Sequence, residues 1–150
     1  MSRPHFNPAS SSRLQEYAAL EYILLGDLRD VLEEPADRHT RGWLAAILDA
    51  LLDTLPREMA IKEASGYLSE VLAEYPSWYR QVEELQNEER LLFLSLQALR
   101  DRLKGSGSYA HAADRVKSAL KQWITRLSAH HRHETRLLQT ALNLEVGVGD

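Results

Sequence analysis

The chain has 150 residues, 44% of them hydrophobic and 27% charged, with a net charge of −4 and no cysteine. That length supports one domain with a real hydrophobic core. The acidic balance argues against a general nucleic-acid binder, and the lack of cysteine removes disulfides, thiolate metal sites and cysteine nucleophiles together.

No apolar run approaches the ~18 residues of a membrane span. Residues 1–12 are polar and lack the apolar stretch of a signal peptide. No membrane partner is therefore expected, and the expected location is cytoplasmic.

Pro4 and Pro8 with Ser10, Ser11 and Ser12 make residues 1–11 read as a flexible lead-in. Ser12 and Gln15 fit a capping box, which predicts the start of a first helix; Glu34-Pro35 ends it. A second helix is predicted from near Thr40 to about Ala64. Pro56 lies inside it, where it removes a backbone donor and should kink or break the helix. Ser65-Gly66 interrupts the pattern, a short helical piece covers 67–74, and Tyr75-Pro76-Ser77 resets the chain. A third long helix runs to about Lys104, residues 105–108 form a turn, and a fourth helix spans roughly 109–143. Residues 144–150, with Gly147 and Gly149, read as a short tail. No strand alternation or repeat occurs. One domain over 1–150 follows, of all-α class: an up-down-up-down four-helix bundle.

Each long helix carries an apolar stripe at three- and four-residue spacing, the pattern of a core-facing seam. The seams are Leu14, Tyr17, Glu21, Leu24, Leu28, Val31; then Leu44, Leu48, Leu51, Leu55, Glu58, Lys62; then Val82, Leu85, Glu89, Leu92, Leu96, Leu99, Leu103; and Val116, Leu120, Trp123, Leu127, His130, Glu134, Leu137, Ala141. Every seam contains ionisable residues. With a rise of ~1.5 Å per residue, Glu21, Glu58, Lys62, Glu89, His130 and Glu134 fall in the same half of the bundle.

Buried charges cost several kcal/mol each unless paired or ligated. Four glutamates against one lysine and one histidine leave a deficit of positive charge. A metal cation could supply it, as could protons held on the carboxyls, or water entering from the bundle end could solvate the surplus. A glutamate near a helix end can instead reach solvent. That account suits Glu58 or Glu134 singly better than Glu21 and Glu89, which have apolar seam positions on both sides.

The stretch from Leu52 to Leu68, with Glu58, Lys62 and Gly66-Tyr67, looks like the second helix of bacterial hemerythrin-like domains. There a histidine is followed four residues later by a glutamate and then by a Gly-Tyr turn. Glu88-Glu89 ahead of Leu91-Leu92 resembles the third helix, where a Glu-His pair precedes a leucine run. His130 to Ala141 resembles the fourth helix, and residues 146–150 the tail after it. Such domains hold two irons, bridged by an oxygen species, with histidines and carboxylates from four helices.

The resemblance implies that Glu21, Glu58 and Glu89 stand where three histidines are expected. Lys62 replaces a bridging glutamate, His130 matches a fourth-helix histidine, and Glu134 takes a carboxylate position one turn later. The implied metal set is Glu21, Glu58, Glu89, His130 and Glu134. Lys62 argues against metal, because a charged ammonium has no lone pair to give and repels a cation.

The expectation is a hemerythrin-like domain with a degenerate metal site, acting as a non-enzymatic binding, sensing or structural module. Its core would be salt-bridged, with Lys62 among Glu58, Glu21 and Glu89, and it would carry no cofactor. The alternative is a carboxylate-rich mono- or di-iron protein handling oxygen, iron or peroxide. The partner classes left open are a protein or second copy of the chain, and a metal ion or small oxygen species. No catalytic set is assigned. A third expectation is proton-linked switching by the carboxylates and His130, which should titrate together.

Of the remaining features, His131 and His133 point away from the seam and are expected in solvent, with His39 and His111. Tyr67 would pack beneath the site or hydrogen-bond a carboxylate. Trp78 and Tyr79 would cover the bundle end, and Trp43 and Trp123 read as core or boundary aromatics. Arg115, Lys117, Lys121 and Arg126 form a solvated basic face. Neither a phosphate-cradling glycine loop nor a Ser-His-Asp arrangement is present.

Overall fold

The computed structural model describes residues 8–64, 66–105 and 109–148, the side chains at 8–11, 67, 142 and 144–148 excepted. The chain is all-helical over these residues. The elements are α1 (Pro8–Leu32), α2 (Arg38–Ala64), a short α3 (Tyr67–Glu74), a 3₁₀ turn (Pro76–Trp78), α4 (Tyr79–Gly105) and α5 (Tyr109–Val148). α1 packs on α2, α2 on α4, α4 on α5, and α5 back on α1, so the four long helices form a bundle. No helix among the described residues is long and apolar enough to cross a membrane.

Helix boundaries follow local chemistry. α1 begins at Pro8, four residues before the expected Ser12. A proline is pre-organised for the first helical position, where its missing N–H has no partner to lose.

α2 begins behind a reciprocal cap. Asp37 Oδ1 accepts the Thr40 backbone N–H at 2.8 Å, and Thr40 Oγ1 accepts the Asp37 N–H at 3.2 Å. α2 then continues through Pro56, so the expected break does not occur there. Leu51, Leu52, Leu55 and Glu58, all buried, anchor both sides of the proline and outweigh its lost hydrogen bond. Gly66, with φ of +72°, supplies the left-handed residue between α2 and α3, a conformation other residues adopt only under strain. α5 runs to Val148, so helix continues through much of the stretch expected as a tail.

The seams pack as the core. Leu28, Leu44, Leu48, Leu51, Leu96, Leu103 and Leu120 are fully buried, and Trp123 is 2% exposed. Trp123 donates Nε1–H to the Leu92 carbonyl at 2.8 Å, tying α5 to α4 just below the charged level. At the opposite end Arg41 donates to the Leu103 carbonyl at 2.8 Å and so caps α4.

Trp43 departs from its expected place. It is 58% exposed and meets the His39 ring at a tilt of 52° rather than entering the core. The seam at that level is filled by Leu44, and its neighbour on the helix points outward. At the far end Trp78 is half-buried and stacks on Tyr75, while Tyr79 is exposed.

Candidate functional site

All six charged seam positions meet in one half of the bundle, each held by a helix whose flanking residues are core. Glu21 and Glu58 are 4% exposed, His130 1% and Glu134 7%; Lys62 and Glu89 are half-buried. Two polar systems result.

The first joins α2, α1 and α5. Burial pushes the Glu58 carboxyl up to about 9, and the neighbouring Glu21 carboxylate adds to the rise. Glu58 is therefore protonated at neutral pH and donates a hydrogen bond to Glu21. Burial also works against charge on Glu21. The hydrogen bonds from His131 and Glu58 outweigh it and hold Glu21 below the usual carboxylate range. His131 Nε2–H donates to Glu21 Oε1 at 2.7 Å.

The second system joins α5, α2 and α4. Lys62 Nζ donates to Glu134 Oε1 at 2.9 Å, with side-chain exposures of 17% and 10%. Burial opposes the ammonium, but Glu134 first, then Glu89 and Glu58, keep it above the ordinary lysine value. Burial pushes Glu89 up against the pull of Lys62. It pushes the His130 imidazole down despite Glu134 and Glu88, so the ring is neutral at neutral pH. His130 Nδ1–H donates to Glu88 Oε1 at 3.2 Å, which fixes the proton on Nδ1. Nε2 lies 3.7 Å from Glu134 Oε2, beyond hydrogen-bond reach, and has no partner.

The structure revises one pairing and extends the site. Lys62 forms its ion pair with Glu134, a partner not expected for it, while Glu89, Glu58 and Glu21 also act on its charge, as expected of a lysine set among them. His131, expected in solvent, keeps a side chain 41% exposed and still reaches Glu21, because α5 lies between α4 and α1 and adjacent positions on it reach different neighbours. His133 is exposed as expected and sits 3.5 Å from Glu88. Glu88, which no seam argument singled out, is the partner of His130. Its one-residue offset from Glu89 places it at the α4–α5 boundary, and a buried imidazole needing an acceptor was the only signal for it. The Tyr67 side chain lies outside the described residues.

His131→Ala should expose the value of the first system. It leaves Glu21 buried with one partner fewer and is expected to destabilise the fold by about 1–3 kcal/mol, read from urea unfolding at neutral pH. A change indistinguishable from that of His133→Ala would contradict this.

Glu89, His130 and Glu134 each offer one ligating atom, and these lie within 4.8 Å of one another. A small cavity opens beside them, lined by Leu55, Met59, Leu92, Phe93 and Leu127 and by Glu58, Glu89, His130 and His131. The basic face of α5 is a separate feature. Its Lys117 donates to the Glu34 carbonyl at 2.6 Å and Lys121 pairs with Glu33 at 3.1 Å, so it pins the end of α1, and Lys117, Lys121 and Arg126 also line an open groove on the surface of α5. Compared with known proteins, the chain matches no protein-family model, no curated protein and no solved structure.

Proposed function

We propose that the chain is a hemerythrin-like helical domain in which an ion-paired, partly protonated core replaces the metal centre, and that it serves as a non-enzymatic binding, sensing or structural module. The 2.9 Å pair between Lys62 and Glu134 carries this reading.

The residue set was tested against a diiron centre and does not fit one. The ammonium of Lys62 stands where a bridging carboxylate is required and has no lone pair to donate. It also occupies the one carboxylate, Glu134, that the fourth helix would contribute. The positive charge that a buried carboxylate cluster demands comes instead from Lys62, and the remaining excess is removed by protonation.

Protein expressed in iron-supplemented medium is expected to carry far less than one iron per chain and to show no visible oxo-iron band. Near-stoichiometric iron with such a band would overturn the reading.

A second reading rests on Glu89, His130 and Glu134, whose ligating atoms lie close enough to converge on one cation. In it the domain is a mononuclear metal protein with Lys62 turned aside. Glu89→Ala tests it: metal content should fall in the variant, and content that is unchanged or absent from the start would sink it.

A further inference from the structure

His130 presents an unusual problem for a core residue. Its ring is 1% exposed and its Nδ1–H is committed to Glu88. With Nδ1–H given to Glu88, Nε2 is the lone-pair side of the ring, buried and without a hydrogen-bond partner among the described residues. Glu134 is engaged by Lys62, and Glu89 adds further carboxyl oxygens to the same corner. What Nε2 lacks among the described residues is a donor within hydrogen-bond distance.

The cavity supplies the room for one. His130, Glu89 and Glu58 contribute its polar wall, while Leu55, Leu92 and Leu127 offer no hydrogen bond. The space open to the centre of a water-sized sphere is about 10 Å³, which is one water's worth and too little for two. Cavities that stay dry are apolar; one with several unsatisfied polar groups fills. Glu89 and His130, whose polar atoms lie within 4.8 Å of each other, both line this space together with His131, so one water there can hydrogen-bond to both at an ordinary length of about 2.8 Å.

We propose that the cavity between α2, α4 and α5 is a binding site for a single water molecule, which donates to His130 Nε2 and to Glu89 and lies against the Glu58 carboxyl. The water bridges three helices and completes the polar core that Lys62 begins. This inference rests on the metal-free reading of the core.

High-resolution diffraction from crystals of the full chain tests it. One peak is expected about 2.7–3.2 Å from His130 Nε2, without anomalous signal, and it should vanish in His130→Leu. An empty cavity in the wild-type protein would overturn the water site while leaving the metal-free core standing. A peak at ~2.0–2.2 Å with anomalous signal is a metal and would overturn both. A peak that persists unchanged in His130→Leu would overturn His130 as its anchor. Should that variant not fold, cross-relaxation between the His130 ring and bound water in the wild-type protein gives the same decision in solution, its absence counting against the site.

Discussion

Lys62→Met is expected to destabilise the fold by about 3–5 kcal/mol, the usual effect of removing one member of a buried ion pair. The loss has a specific origin. Glu134 is 7% exposed and Lys62 is its one ion-pair partner within hydrogen-bond distance. Without it a carboxylate stays in the core with His130 Nε2 and Glu89 as its surroundings, none of which donates to it.

The double variant Lys62→Met/Glu134→Leu separates the pair from the packing. Replacing both charges by apolar groups of similar size is often neutral or stabilising, so most of the loss should be recovered. Urea unfolding of the wild type, both single variants and the double variant closes the cycle. A Lys62→Met effect below about 0.5 kcal/mol would place the lysine among ordinary surface residues and remove the foundation of the proposed core.

The bundle was legible because three- and four-residue spacing is a direct consequence of helix geometry, and each seam had enough leucine to leave no competing period. Even the polar members obeyed it: Glu21, Glu58, His130 and Glu134 are as buried as their apolar neighbours. The partnerships among them were not legible. A seam specifies which residues face the axis but not how neighbouring helices are rotated, and pairing depends on that rotation. The seams place Lys62 among Glu58, Glu21 and Glu89 but do not reveal Glu134 as its ion-pair partner, nor Glu88 and His131, one residue off their seams, as part of the site. Proton placement was hidden for a related reason. Four carboxyls at one level require that some charge be removed, but only the geometry selects Glu58, which is buried and lies next to the Glu21 carboxylate.

The end of α5 was misread because glycines near a terminus also suit a tail. Pro56 does not break α2, because its backbone preference is local whereas the packing that holds the helix together is not.

Stability should fall as pH rises from about 6.5 to about 9, and Glu58 should be responsible for most of the fall. Its carboxyl keeps a proton in the folded chain up to about 9, against an ordinary value of 4.5 when unfolded. Between those limits the folded state holds the extra proton, so each unit of pH costs up to ~1.4 kcal/mol. The contribution is fully present below 4.5 and is gone above about 9.

Glu89, also raised by burial, acts in the same direction. His130 acts oppositely: its pKa is lowered from 6.5, so unfolding takes up a proton below that value and stability there rises with pH. This offsets Glu58 on the acid side and leaves the decline visible above 6.5. Glu21, held low, loses its contribution only as pH falls through its folded value. Lys62, held high, loses its own only above 10.5.

Glu58→Gln keeps the size of the side chain and can still donate to Glu21, but it cannot ionise. It is expected to reduce the slope by about one proton and to be more stable than the wild type near pH 9. Wild-type stability that is flat or rising across this window would show that Glu58 is ionised in the folded core. The balance of charge would then demand a cation beyond Lys62, which is the condition under which the metal-bound reading becomes the better one.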